Sequence, residues 1–303
     1  LSFGLAVTEL AQRDDRVVAI GSDTLDLIGL RSLQKQYPNR VVDVGIAEQN
    51  AMGIASGLAT TGMHPYLCGY APFITARSME QIRNDVAYAK QRVVIGGACS
   101  GISLAVSGGT HHAVEDIALM RSLPNMTVIV VADAHQGWHA TLATRDHDGP
   151  VYIRLGGRAV ETPVTPVHAN FKIGRADLMR PGKDVTVIAC GCLVPEAMSA
   201  ATTLGGEGID VRVINMHTVK PLDRDAVLSA AMETGGIVTA EEHHLTGGLG
   251  GAVAELLAEE QPTRMRFVGM PDEYAIVGPT GQVRDNYGMS ARHIVSACKS
   301  LVN

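Results

Sequence analysis

Residues 45–57, GIAEQNAMGIASG, carry the reading that decides the fold class. They place one acidic residue, Glu48, just after a strand-like run at 40–44 and at the head of a helix rich in small residues. A carboxylate at such a junction lies at the carboxyl end of a parallel strand and beside a helix N-terminus. Open α/β sheets bind ligands there, and the helix dipole favours negative charge. Within the helix Ala51, Ala55 and Ala59 recur every fourth residue, as do Gly53 and Gly57. Residues four apart share a face, so these small residues predict close packing against another helix, within the chain or across a subunit interface. A glutamate opening a helix is commonly a simple complement to the dipole, so its surroundings must decide its role.

Outward from Glu48, short apolar runs alternate with longer segments of helical period. The predicted strands of the first half are Val17–Ile20, Arg40–Val44, Tyr66–Gly69, Arg92–Ile95, Thr127–Val131 and Val151–Leu155. Helices are predicted near 3–12, 47–60, 78–90, 114–122 and 134–145, with Asp133 as the cap of the last. This alternation implies a doubly wound parallel sheet. Residues 161–170, ETPVTPVHAN, interrupt it with two prolines and no helical period. A second series follows, with strands near Val185–Ala189, Ile209–Ile214, Ile237–Ala240 and Met265–Val268 and helices near 194–204, 223–233, 248–259 and 289–300. The expected organisation is two doubly wound α/β domains, 1–162 and 175–303, joined by a linker at 163–174.

The chain of 303 residues is long enough for two domains, and 46% hydrophobic with 18% charged residues fits a well-cored globular protein. A net charge of −6 with no basic block argues against nucleic acid as a partner. No apolar run approaches the ~20 residues of a membrane-spanning helix. Five cysteines, Cys68, Cys99, Cys190, Cys192 and Cys298, are an odd count in a well-cored chain, which predicts reduced thiols and a cytoplasmic location. The Cys190-Gly-Cys192 spacing is too short for the usual zinc or thioredoxin patterns, and no metal site is expected in this chain.

The ordered stretches GIAEQNAMGIASGLATTG, YAPFITARSMEQIR, SGGTHHAVEDIALMRSLPNMTVIVVADA and VYIRLGGR resemble the pyrimidine-binding domain of transketolases and deoxyxylulose-phosphate synthases. DVTVIACG, VRVINMHTVKPLD and EEHHLTGGLGGAVAE resemble the transketolase C-terminal domain, so the resemblance spans nearly the whole chain. It implies a thiamine diphosphate cofactor. In the family the diphosphate and a Mg2+ ion lie on a further domain, marked by Gly-Asp-Gly, and that motif does not occur here. The resemblance therefore implies the C-terminal subunit of a split transketolase. Such a subunit is active only with an N-terminal partner that carries the diphosphate and Mg2+ site, as an α2β2 heterotetramer.

The resemblance also implies roles for individual residues. Glu48 matches the glutamate that hydrogen-bonds N1′ of the aminopyrimidine and favours the tautomer able to remove the C2 proton. To donate there its carboxyl must hold a proton, and the cofactor then carries the hard chemistry. Tyr70 and Phe73 match the aromatics packed on the pyrimidine, and Ile46 adds apolar wall. Asp23 matches an acidic position near the cofactor. His111 matches the histidine of a Thr-His pair near the reactive carbon and the substrate oxygens. Arg77 and Arg154 match positions that contact a substrate phosphate, with Arg158 the alternative to Arg154.

Ser107 stands where transketolases carry an Asp that reads a donor hydroxyl, and Cys99 stands where many carry a His facing the phosphate. Both changes remove charge from the sugar end. They predict two-carbon ketol transfer between sugars on a non-standard substrate. Two other enzyme readings are the β subunit of a 2-oxo acid dehydrogenase and a deoxyxylulose-phosphate-synthase-like enzyme. An inactive scaffold is the third class. The joint presence of Glu48, Tyr70, Phe73 and His111 argues against that last reading.

Overall fold

The computed structural model describes residues 2–157, 162–168 and 170–302. Its strands are β1 (Val17–Gly21), β2 (Val41–Asp43), β3 (His64–Tyr70), β4 (Val94–Ala98), β5 (Thr127–Val130), β6 (Val151–Arg154), β7 (Asp177–Arg180), β8 (Val185–Ala189), β9 (Val211–Asn215), β10 (Thr218–Lys220), β11 (Ile237–His244) and β12 (Met265–Met270). They form a seven-stranded sheet, β10-β5-β6-β4-β3-β1-β2, and a five-stranded sheet, β12-β11-β8-β9-β7. All pairings among β1 to β6 are parallel, as the strand–helix alternation predicts.

The period of two along each strand sorts side chains between the faces of the first sheet. Ile20, Leu67, Ile95, Val128 and Tyr152 join one core with Ala51, Met52, Ile74, Ile82 and Ile117 of the segments crossing that face. Ala19, Tyr66, Cys68, Val94 and Ile129 join the other, with Phe3, Val7, Leu10 and Ala140 from the helices Ser2–Arg13 and Ala134–Ala143. The helix Glu48–Thr60 buries Ala51 and Ala55, but a side chain built at Gly53 or Gly57 meets nothing within 4 Å. The alanine face is thus packed inside the chain, and the glycine face is open.

Several elements differ from the sequence expectation. The strand at 40–44 shrinks to β2, because Pro38–Arg40 form a tight helical turn before it. Residues 73–88 are helical throughout most of their length, starting earlier than 78, with widened turns at Phe73–Arg77 and Ile82–Tyr88. β10 belongs to the second half of the sequence yet pairs antiparallel with β5. Val130 N–H also donates to His217 O at 2.7 Å. The first core accordingly continues through Met120 and Val130 into Ile214, Met216, Val219, Leu249 and Val253. The proline-rich segment between the two halves is pinned by Asp133. Its carboxylate caps Gln136 N–H at 2.9 Å and also accepts Val164 N–H, Thr165 N–H and Thr165 Oγ1–H at 2.8, 2.7 and 2.6 Å.

His217 lies at this junction, fully buried, with its ring 4.2 Å from that of Phe171 and Nδ1 2.9 Å from Thr218 Oγ1. Burial pushes its pKa down from 6.5 to about 4. The unfolded chain therefore binds a proton here that the folded chain refuses. His217's contribution to stability is complete above pH 6.5 and is lost as pH falls toward 4, at up to ~1.4 kcal/mol per pH unit. Urea midpoints measured across that window should fall less steeply for His217→Asn than for the parent chain. Parallel slopes would remove His217 from the acid sensitivity.

Candidate active site

The end of β2 is fastened to the end of β1. Asp43 Oδ1 accepts the N–H groups of Asp23 and Gly45 at 3.0 and 3.2 Å, and Ser22 Oγ donates to Gly45 O at 2.7 Å. Gly45 has φ +69, which favours glycine and turns the chain into the helix Glu48–Thr60. Glu48 is thereby held in the first turn, 3% exposed. Its Oε2 accepts a hydrogen bond from Arg77 Nη1 at 2.6 Å. The Arg77 side chain remains 45% exposed, and its Cζ lies 4.6 Å from the centroid of the Phe73 ring.

Tyr70, at the end of β3, and Phe73 meet edge to face with centroids 6.1 Å apart. The His111 ring completes the cluster, 6.0 Å from Tyr70 and 5.2 Å from Phe73. His111 arrives on a tight turn whose Gly108, at φ +79, accepts the His111 N–H through its carbonyl at 2.9 Å. Thr110 Oγ1 lies 3.1 Å from His111 Nδ1. A buried carboxyl linked through one guanidinium to a cluster of flat rings offers an edge partner and a face partner for a planar heterocycle. The arrangement therefore fits an aminopyrimidine. Among the described residues, no cluster of three or more His, Cys, Asp or Glu side chains is placed to hold a metal ion.

The structure brings together Glu48, Tyr70, Phe73, Arg77 and His111. Ile46, 76% exposed, precedes Glu48 by two residues, and Asp23, exposed with φ +55, lies at the carboxyl end of β1. Ser107 is exposed on the turn Ala105–Ser107 that leads to His111. Arg77, expected on a substrate phosphate, instead gives its guanidinium to Glu48 and Phe73.

Arg154 and Cys99 make contacts that the sequence did not suggest. Arg154 is 4% exposed; its Nε donates to both oxygens of buried Asp116 at 3.0 and 2.8 Å, and its Nη2 to Ala113 O and Glu242 O at 2.9 Å each. It ties Ala113 in the first half of the chain to Glu242 in the second. Cys99 is buried with φ +53 and lines a cavity of about 620 Å³ with Phe3, Val131 and Leu155, the residues of the opposite sheet face. Arg158 lies outside the described residues.

The sequence reading missed Asp116, whose carboxylate also accepts the Tyr152 hydroxyl at 2.6 Å. It gave no role to His112, which is buried with Nε2 3.4 Å from Ala105 O. Nor did it place His243, whose Nε2 accepts Ala118 N–H at 3.2 Å. A paired Asp and Arg far apart in sequence leave no local signal.

Two parallel-rich sheets, with a buried carboxyl group and an aromatic cluster beyond the ends of β2 and β3, define an α/β protein. The family described as transketolase, pyrimidine binding domain, matches residues 1–162, and transketolase, C-terminal domain, matches residues 174–294. The chain belongs to the transketolase family, which is thiamine diphosphate dependent. It is 42% identical to the 6-deoxy-6-sulfo-D-fructose transketolase subunit SqwH of Clostridium sp. (strain MSTE9), over 95% of this chain and 89% of that one. It is 38% identical to one of the subunits of the apulose-4-phosphate transketolase of Phocaeicola vulgatus, over 99% of this chain and 95% of that one. A solved structure titled split gene transketolase, inactive beta4 tetramer, superposes with a TM-score of 0.91 at 39% identity, covering 99% of this chain and 97% of that one.

Proposed function

We propose that this chain is the pyrimidine-binding subunit of a two-chain transketolase that moves a two-carbon ketol unit from a ketose to an aldose. The observation that carries the reading is the site itself. Glu48, Arg77, Tyr70, Phe73 and His111 are linked by contact into one cluster suited to the pyrimidine, and relatives covered over nearly their full length are named as transketolase subunits. Bound thiamine diphosphate supplies a nucleophilic carbon that the protein lacks. Glu48 holds a proton at the ring edge, Tyr70 and Phe73 orient the ring and exclude water, and His111 donates to substrate oxygens. The partner subunit brings the diphosphate and Mg2+ site, and the working assembly is α2β2. Ile46 and Asp23 are exposed, and on this reading they belong to the surface that meets the cofactor and the partner.

Exposed, uncharged Ser107, four residues before His111, supports a non-standard sugar, and so do the sulfofructose and apulose phosphate in the names of two relatives. A 2-oxo acid dehydrogenase β subunit is the weaker reading, since these relatives are named as transketolase subunits. A cytoplasmic location is proposed from the odd count of five cysteines in a well-cored chain. No described helix is long and apolar enough to cross a membrane.

Calorimetry tests the split. The purified chain alone should bind thiamine diphosphate weakly, and addition of the partner with Mg2+ should make binding tight. Tight, magnesium-dependent binding by the chain alone would overturn the two-chain reading.

A further inference from the structure

We infer that Arg77 is a built-in placeholder for the aminopyrimidine ring, occupying the contacts on Glu48 and Phe73 until the cofactor displaces it. The inference rests on the cofactor reading of the site. A guanidinium is a flat group with N–H donors at its edge. Arg77 lies over the Phe73 ring at 4.6 Å and donates to Glu48 at 2.6 Å. These are the two contacts that an aminopyrimidine requires there, a face on an aromatic ring and an edge on the carboxyl. Tyr70 and His111 approach Phe73 steeply, at 79° and 76°, so neither covers its face as Arg77 does.

The placeholder answers a physical problem. Glu48 is buried, and a buried carboxylate without a partner is costly. Arg77 pairs it, yet nearly half of the Arg77 side chain faces solvent, so the guanidinium can swing outward on its own stem without disturbing the core. The ring can enter only while Arg77 is out. Apparent affinity is then the intrinsic affinity reduced by the fraction of time that Arg77 spends away from Glu48. Arg77 is in this sense a positioning residue that acts through Glu48 and Phe73.

The test uses the full chain and 4-amino-2-methylpyrimidine as the probe, followed by ligand-observed NMR. Arg77→Ala should bind the fragment about tenfold more tightly than the parent, because removing a competing side chain raises the competent fraction. Arg77→Lys keeps the charge but lacks the flat group, and should fall between them. Arg83→Ala, on the same helical segment with its guanidinium on Asn84, should behave as the parent. Should Arg77→Ala not fold, the guanidinium 15N signals of Arg77 in the parent chain give the same answer. They should move to solvent-exposed positions as the fragment saturates. Equal or weaker binding by Arg77→Ala, or guanidinium signals unmoved by bound fragment, overturns the placeholder and leaves the cofactor reading intact. A fragment that binds neither protein counts against both.

Discussion

Glu48→Gln, in the enzyme reconstituted with its partner subunit, is expected to slow proton–deuterium exchange at C2 of the cofactor by about a thousandfold, the usual scale of a positioned acid or base. The substitution leaves shape nearly unchanged. The amide oxygen can still accept from Arg77, and the helix start is held by Ser22, Asp43 and Gly45 rather than by Glu48. Assembly and cofactor binding should therefore survive. What is lost is a proton that can be handed to the ring edge, because an amide is a far weaker donor. Rapid-quench exchange measured by NMR isolates this step from sugar binding and from product release. Exchange at the parent rate would show that Glu48 complements the helix dipole and does no more.

The parallel core of the first sheet was legible because its side chains obey a period of two that splits cleanly between two covered faces, as in Tyr66, Leu67 and Cys68. Glu48 was legible because strand, turn and small-residue helix follow one another directly. Tyr70, Phe73 and His111 could be assigned only through ordered motifs, since nothing local says that a loop histidine will meet two aromatics from another segment. β10 escaped notice for a similar reason. Three residues are too few to display a period, and its partner β5 lies in the other half of the chain. The contacts of Arg154 and Cys99 escaped the sequence for one shared reason. At the end of a strand a single position decides which face a side chain takes. Tyr152 and Arg154 share a face and both reach Asp116, which turns Arg154 inward. The left-handed backbone of Cys99 follows β4 and places the residue among those lining the cavity with Phe3, Val131 and Leu155.

Asp116→Ala should cost about 3–5 kcal/mol of stability, the scale for breaking a buried ion pair by removing one partner. Asp116 and Arg154 have side chains 1% and 4% exposed, so the substitution leaves a guanidinium buried without its counter-charge and a Tyr152 hydroxyl without its acceptor. Burial alone would push the Arg154 pKa down, but the adjoining Asp116 carboxylate reverses this and holds it well above the ordinary value. In the variant that support is gone, but a guanidinium is too basic to give up its proton inside a protein, so Arg154 stays charged and the loss is not relieved. The damage should extend across the domain boundary, because Arg154 Nη2 also ties Ala113 O in the first domain to Glu242 O in the second. A double variant, Asp116→Leu with Arg154→Met, removes both charges and fills the space with apolar side chains. It should recover most of the stability, since buried ion pairs are commonly replaceable by well-packed hydrophobic groups. Urea denaturation of the two variants and the parent measures both effects. The same pair of variants decides what Arg154 is for. If the double variant folds well and, with the partner subunit present, turns over sugar donors near the parent rate, Arg154 is a structural tie. If Asp116→Ala costs less than about 1 kcal/mol, while every Arg154 variant loses donor affinity, the buried network is not what holds these domains together and Arg154 returns to the substrate.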